Sequence, residues 1–416
     1  MKKLAMQILS FTVTVLVVAH AQQFTVLYNF AGAPDGGVPE ASLLYADGVS
    51  DNTNAVPVST VYGTTTVGGT GLCTSEGWVT GCGTVFKVSG KKETVLYSFQ
   101  GGTDGWAPLG GLVRDKKGNL YGTTASGGAY GYGTIFKLTG KTKTILYSFQ
   151  GTPDGAYPTS TLAQDSEGNF YGTTYTGGAN LAIDNPAGPG TVFKIDPSGN
   201  ETLLYSFCST ANCADGQNPQ AGAVIGTDGN LYGTTVLGGN SGEGTVFKLD
   251  MSGNEKVLYS FCPVLGDCTG GANPVGGLIM DADKNLYGTT DAGGTDQGVI
   301  FKLDTSGTET VLYTFCSEEP SCGGDPVAGL IMDAKGNLYG TAVAGGEGGE
   351  GTVFELAASG AFSVLHAFAG EPGAVEPTGG LVMDAKGNLL GTASQGGPGD
   401  CAPLYSGCGA VFKIKP

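Results

Sequence analysis

Four short motifs recur seven times along this chain, and a chain made of seven copies of one unit has few ways to fold. A Tyr-Gly-Thr type motif begins at Tyr62, Tyr121, Tyr171, Tyr232, Tyr287, Tyr339 and, as Leu-Gly-Thr, at Leu390. The successive spacings are 59, 50, 61, 55, 52 and 51 residues. A Val-Phe-Lys type motif carries Phe86, Phe136, Phe193, Phe247, Phe301, Phe354 and Phe412. A Leu-Tyr-Ser-Phe type motif ends at Phe30, Phe99, Phe149, Phe207, Phe261, Phe315 and Phe368. A Gly-Gly-Leu type segment follows Pro39, Pro108, Pro158, Pro219, Pro274, Pro326 and Pro377.

Each motif is short, rich in β-branched and aromatic residues, and bounded by Gly, Asn, Asp or Pro. That is the pattern of strands and turns, with no helical period after residue 21. Four strands in about fifty residues match one blade of a β-propeller. We label them a (Gly-Gly-Leu-Val), b (Asn-Leu-Tyr-Gly-Thr-Thr), c (Gly-Thr-Val-Phe-Lys) and d (Val-Leu-Tyr-Ser-Phe). The expectation is an all-β chain, a seven-bladed propeller with four antiparallel strands per blade. After the first 21 residues the chain opens on a d strand, Val26 to Phe30, and it ends on an abc set, Gly379 to Ile414. The N-terminal strand is therefore expected to close the last blade, removing the unpaired edges of an open array. A linear solenoid is the rival, and it needs end caps that the sequence does not show.

Residues 1–21 read as a signal peptide. Lys2 and Lys3 precede the apolar stretch Leu4 to Ala19, and Ala19-His20-Ala21 has the small-x-small form of a cleavage site. Residues 22–416 are then one propeller domain, expected to be secreted to the periplasm or beyond. No later segment is apolar enough to span a membrane, and the chain is expected to be monomeric. The net charge of −17 repels nucleic acid and anionic membranes.

The units 118–124 (Gly-Asn-Leu-Tyr-Gly-Thr-Thr), 127–128 (Gly-Gly), 133–138 (Gly-Thr-Ile-Phe-Lys-Leu) and 144–149 (Thr-Ile-Leu-Tyr-Ser-Phe) resemble the Gly-rich tandem repeats of exported bacterial proteins called the GloVer repeat family. The resemblance covers nearly all of the chain after the leader, and it implies secretion and repeat architecture. Members often carry a C-terminal surface anchor; here the last strand runs to Pro416, so that anchor is not expected. The resemblance assigns no catalytic residue.

The ten cysteines fall into five close pairs, Cys73/Cys82, Cys208/Cys213, Cys262/Cys268, Cys316/Cys322 and Cys401/Cys408. In an exported chain they read as local disulfides rather than a metal centre. His366 is the one histidine after the leader, in a d strand where other blades have Tyr. That is poor support for a Ser-His-Asp or Cys-His mechanism. The Gly pairs after strand b, such as Gly127-Gly128, lie between strands with no helix N-terminus to receive a phosphate. Asp-Gly units before strand a, as at Asp35, Asp104, Asp154 and Asp215, read as turns, with calcium binding as the alternative. No other cofactor is expected.

Antiparallel order sends the ab and cd turns to one face and the longer, variable bc and da loops to the other. Variable loops on a rigid scaffold are where binding resides. There the sequence gathers Trp78, Trp106, Tyr130, Tyr132, Tyr157 and Tyr175, with Asp104, Asp154 and Asp184 as acceptors nearby. Flat rings with polar edges suit sugar or a cell-surface protein partner. The leading expectation is a binding or interaction module. An extracellular polysaccharide hydrolase or lyase, resting on unassigned carboxylates, and a structural surface protein are the alternatives.

Overall fold

The computed structural model describes residues 22–46, 59–75, 77–180, 187–264, 266–295, 297–316, 323–370, 373–401 and 405–416. The expected leader lies outside the described residues. Seven four-stranded antiparallel sheets succeed one another along the chain. Blade two shows the unit: strand a Val113–Arg114, b Leu120–Thr124, c Thr134–Thr139 and d Thr142–Ser148. Blade seven takes Val382–Met383, Leu389–Ala393 and Ala410–Lys415 from one end of the chain and Gln23–Asn29 from the other. Its closing ladder runs from Gln23↔Lys415 to Asn29↔Ala410. The ring closure read from the sequence is thus the closure observed.

The repeat residues are the contacts between strands and between blades. The Gly of Tyr-Gly-Thr lies opposite the Phe of strand c, as Gly122 opposite Phe136. A Cβ at Gly122 would come 2.8 Å from the Phe136 ring, so only glycine lets that ring lie across strand b. The Phe that ends each d strand meets the strand-c Phe of the following blade, edge to face. These contacts run Phe99–Phe136, Phe149–Phe193, Phe207–Phe247, Phe261–Phe301, Phe315–Phe354, Phe368–Phe412 and Phe30–Phe86, with centroids 5.0–5.5 Å apart. The last of them joins blade seven to blade one. Each ring is fully or almost fully buried. Burial of a Phe stabilises by roughly 2–3 kcal/mol, and an edge-to-face pair adds about 1 kcal/mol.

Closer to the axis, the first Thr of the motif reaches into the next blade. Thr64 donates to the Gly110 carbonyl, Thr123 to Ser160, Thr173 to Ala221, Thr234 to Gly276, Thr289 to Ala328, Thr341 to Gly379 and Thr392 to Ala41, at 2.9–3.4 Å. These carbonyls belong to the segments expected to form the first half of strand a. In the structure strand a is only two residues long in six blades and three in blade one. The Gly-Gly-Leu part ahead of it satisfies its carbonyls on threonine hydroxyls and lines a central channel instead of joining the ladder.

Two single 3-10 turns, Gly102–Asp104 and Ala211–Cys213, are the helical elements among the described residues. No helix among them is long and apolar enough to cross a membrane. Disulfides join Cys73–Cys82, Cys208–Cys213, Cys262–Cys268 and Cys401–Cys408. Cys316 is disulfide-bonded as well; Cys322, its expected partner, lies outside the described residues.

Candidate functional site

The two faces of the ring differ in how their loops are held. On the ab and cd side, short turns are capped by an Asp. Asp115 accepts from the Lys117 and Asn119 amides at 2.9 Å, from Asn119 Nδ2 at 2.7 Å and from the Tyr121 hydroxyl at 3.1 Å. The same caps recur at Asp165, Asp281, Asp333 and Asp384. Partial burial works against ionisation of Asp115, but these donors overcome it and hold the carboxyl below its usual range. The lysines that end the c strands lie over the motif tyrosines, as Lys137 over Tyr121 at 5.6 Å and Lys248 over Tyr232 at 5.4 Å. This side is stiff and repetitive.

The opposite side carries the variable loops and the expected aromatics. Trp78 stands in a small hairpin, Thr74–Ser75 with Trp78–Val79, that projects from the bc loop of blade one. It is 55 % exposed and lines a groove of about 510 Å³ with Leu72, Pro34, Thr80 and Tyr405. That groove lies toward blade seven. Tyr130, Tyr132 and Tyr157 are exposed, and Tyr175 is half-buried. The Tyr157 amide donates to the Tyr132 carbonyl, and the Tyr175 amide to the Tyr157 carbonyl, which ties the loops of blades two and three together. The Tyr132 ring lies over Gly151, where a Cβ would come within 3.0 Å of it. Trp106 is half-buried and packs on the core between blades one and two. The structure therefore joins the backbones at Tyr132, Tyr157 and Tyr175 and sets Trp78 in its own groove.

Asp104 and Asp154 are held within their loops. Asp104 accepts from the Tyr97 hydroxyl at 2.8 Å and the Gln100 amide at 2.8 Å, and pairs with Lys143 at 2.7 Å. Asp154 accepts from the Tyr147 hydroxyl and the Gln150 amide, both at 2.9 Å. Asp35 and Asp215 do the same for Tyr28 and Tyr205. The Asp-Gly units are thus turn-forming, with their carboxylates turned to their own loops. Asp184 lies outside the described residues.

The central channel did not figure in the sequence reading. Its volume is about 810 Å³, and all seven blades line it. In each blade the lining begins two residues after the residue that precedes its proline; the residues before the prolines are Val38, Ala107, Tyr157, Asn218, Asn273, Asp325 and Glu376. All seven adopt φ of 51–57°, a region costly for any side chain and most of all for a β-branched one. Two backbone bonds enforce it. The amide of each donates to the bc loop of the preceding blade, as Ala107 to the Cys82 carbonyl, and its carbonyl accepts from its own blade, as from Ala125. A constant backbone thus carries a different side chain in each blade, from the buried Val38 and Asn218 to the exposed Tyr157. In blade one, Glu40 lines the channel. Burial, helped by the nearby Glu376 carboxylate, raises its carboxyl to about 7. Glu376 in turn accepts from Gln395 Nε2. The signal for this ring was present in the sequence as the one variable position beside an invariant Pro.

Comparison with known proteins fits this architecture. The family model for the Gloeobacter/Verrucomicrobia repeat matches residues 59–268 and 181–412, which is most of the chain. The chain belongs to the Gloeobacter/Verrucomicrobia repeat family. No curated protein matches this repeat chain in sequence. Among solved structures, it is similar to a protein provisionally named 6-phosphogluconolactonase from Bacteroides uniformis. That match has 14 % identity and a TM-score of 0.48, covering 83 % of this chain and 98 % of the other. It is also similar to a protein provisionally named an oxidoreductase (glucose dehydrogenase) from Thermus thermophilus, at 15 % identity and a TM-score of 0.40. There the match covers 74 % of this chain and 96 % of the other. At these values neither likeness carries an argument about the chemistry of this repeat protein.

Proposed function

We propose that this member of the Gloeobacter/Verrucomicrobia repeat family is an exported binding module that takes a glycan on the variable-loop face of blades one to three. The observation that carries the proposal is where apolar surface is left uncovered. Nine large hydrophobic side chains are exposed among the described residues. Six of them, Leu72, Trp78, Val79, Tyr130, Tyr132 and Tyr157, sit in the bc and da loops of blades one to three. Concentrated exposure of this kind marks an interaction surface. Rings with polar edges among Thr and Gly backbone suit the stacked faces and hydroxyl rims of sugars. The local disulfides and the basic, then apolar, leader support export. The test is a glycan array on the pure protein, followed by Trp78→Ala and Tyr132→Ala. Each is expected to weaken binding about tenfold, as for the loss of one stacking ring of about 1.4 kcal/mol. Unchanged binding by both would sink the proposal.

A second reading rests on Glu40. Burial, helped by the Glu376 carboxylate, raises Glu40 to about 7, the kind of shift that keeps a general acid protonated in glycoside cleavage. If the array ligand is cut, Glu40→Gln should abolish cutting and leave binding intact. A bound glycan that stays whole on prolonged incubation excludes this reading.

A further inference from the structure

One position repeats at every blade interface and changes its chemistry around the ring. It lies four residues before the aromatic near the end of each d strand, and it faces the aromatic of the preceding blade. In blades one, three, four and five it is Glu93, Glu201, Glu255 and Glu309; in blade two it is Lys143; in blades six and seven it is Phe362 and Phe24. The two Phe rings stack flat on the preceding aromatic, Phe362 on Tyr313 and Phe24 on His366, both at 3.7 Å. Lys143, almost wholly buried, pairs with Asp104 at 2.7 Å and lies 5.2 Å from the Tyr97 ring. Those three interfaces are complete as they stand.

The four glutamates are not. The Oε1 atoms of Glu93, Glu201, Glu255 and Glu309 are buried and accept no hydrogen bond, and at the first interface Asp35 Oδ1 is in the same condition. From the preceding blade, Glu93 faces Tyr28 and Asp35, Glu201 faces Tyr147 and Asp154, and Glu255 faces Tyr205 and Asp215. Glu309 faces Tyr259 alone, because Gly270 occupies the Asp position. A Cβ at Gly270 would lie 3.1 Å from the Tyr259 hydroxyl and 3.3 Å from Glu309 Oε2. Within their own blades the cross-strand partners are aliphatic: Val88, Ile195, Leu249 and Leu303. No Lys or Arg pairs with any of the four among the described residues. Where Lys143 brings a cation to an Asp, Glu93, Glu201 and Glu255 bring a second acid to one, and all four glutamates keep a buried oxygen without a donor. Asp215 itself is satisfied by Tyr205, Ser209 and Thr210. The missing partner is a proton.

We propose that the cohesion of this ring is set by protonation of Glu93, Glu201, Glu255 and Glu309, each neutral carboxyl donating across its blade interface in acid and opening that contact when it ionises. At Glu93 the proton goes to Asp35, whose Oδ1 is open, and at Glu201 to Asp154; at Glu255 and Glu309 it goes to the Tyr205 and Tyr259 oxygens of the preceding blade. Burial, then the facing Asp, raises Glu93, Glu201 and Glu255 to about 7, and burial raises Glu309. Their folded values lie above the unfolded one, so their stabilisation is complete below the unfolded value and is lost as pH climbs through about 7. His366 works the other way. Burial lowers it to about 4, so its stabilisation is lost as pH falls from the unfolded value toward that point. The turn aspartates, held low, fail only in stronger acid. Glu40, Asp291 and Asp325, which burial also raises, act in the same direction as the four glutamates; together they outweigh one histidine, and the ring is tightest in mild acid.

The test compares melting of the full chain at about pH 5 and about pH 8, with the quadruple variant carrying Glu93→Gln, Glu201→Gln, Glu255→Gln and Glu309→Gln. These carboxyls are only about half-buried, so solvent screening reduces each effect. The parent is expected to lose about 4 °C in Tm on going to the higher pH. The variant, with a neutral donor at each site, should lose distinctly less, and what it still loses comes from Glu40, Asp291 and Asp325. Parallel losses in parent and variant would overturn the proposal. So would calcium at about pH 8 restoring the acid Tm, which would make these cation sites. Should the quadruple variant not fold, infrared spectroscopy of the Glu40→Gln chain decides, because Glu40 gives a band of its own. A protonated carboxyl band is expected at about pH 6, where a free Glu side chain is ionised, and its absence would refute the proposal.

Discussion

Phe30→Ala tests whether the first strand holds the ring as firmly as any internal contact. Phe30 ends the d strand donated by the N-terminus, is 1 % exposed, and meets Phe86 of blade one at 5.0 Å and Tyr28 at 5.3 Å. Replacing a fully buried Phe by Ala costs about 3–5 kcal/mol. A chain of about 400 residues melts with an entropy near 0.8 kcal/mol per degree, at about 2.1 cal/mol/K per residue. The expected fall in Tm is therefore about 4–6 °C. Phe207→Ala is the internal standard. It removes the equivalent ring from the middle of the chain, at 5.2 Å from Phe247, and no strand exchange between chain ends is involved. Calorimetry on both variants and the parent reads the comparison directly. Equal losses mean that closure is as strong as a covalently continuous blade. A Phe30 variant that melts with the parent, while the Phe207 variant falls by several degrees, would show that the N-terminal strand is a loose appendage. The account of closure given above would then be wrong.

Peptide mapping without reduction should recover five local disulfides, Cys316–Cys322 included, and no free thiol; a link such as Cys208 to Cys262 would contradict the local pairing. Each short loop bridge is expected to contribute roughly 2 kcal/mol. Gly122→Ala forces a methyl group to within 2.8 Å of Phe136 and 3.0 Å of Leu112, so a loss of about 1–3 kcal/mol is expected from overpacking. Gly122→Ala melting like the parent would remove the steric reason given for the repeated glycine.

How much of this was legible in the sequence depended on what the repeats hold constant. The seven Phe pairs, the Gly opposite each Phe and the strand borrowed by blade seven all follow from residues that recur in register. The local disulfides followed from spacing and export chemistry. The shortness of strand a did not follow, because its Gly-Gly-Leu looks like the start of a strand. Only the three-dimensional ring shows Thr123 and its counterparts meeting those carbonyls. The left-handed backbone at Val38 was invisible for a stronger reason. Local preference before proline argues for an extended conformation, and two hydrogen bonds from different blades override it. The aromatics of the variable face were legible as residues but not as a group. Trp78 and Trp106 are separated by the hairpin that lifts one and the core packing that holds the other. Glu40 was one acid among many until the channel gave it a place.

The pairing of Gln23–Asn29 with Ala410–Lys415 also sets an order of events. The first strand to leave the ribosome finds its partner only after almost the entire polypeptide has been made. At about 5–20 residues per second, that interval is roughly twenty seconds to over a minute. Throughout it, blade seven does not exist and an apolar strand waits with both edges open. Contacts so distant in sequence slow folding, and an unpaired edge invites association with other chains. A nascent ring of this kind is therefore most vulnerable just before completion. Its clasp is the last part to form, so a chain cut short by even its final strand would forfeit the seal that the N-terminus was held in reserve to make.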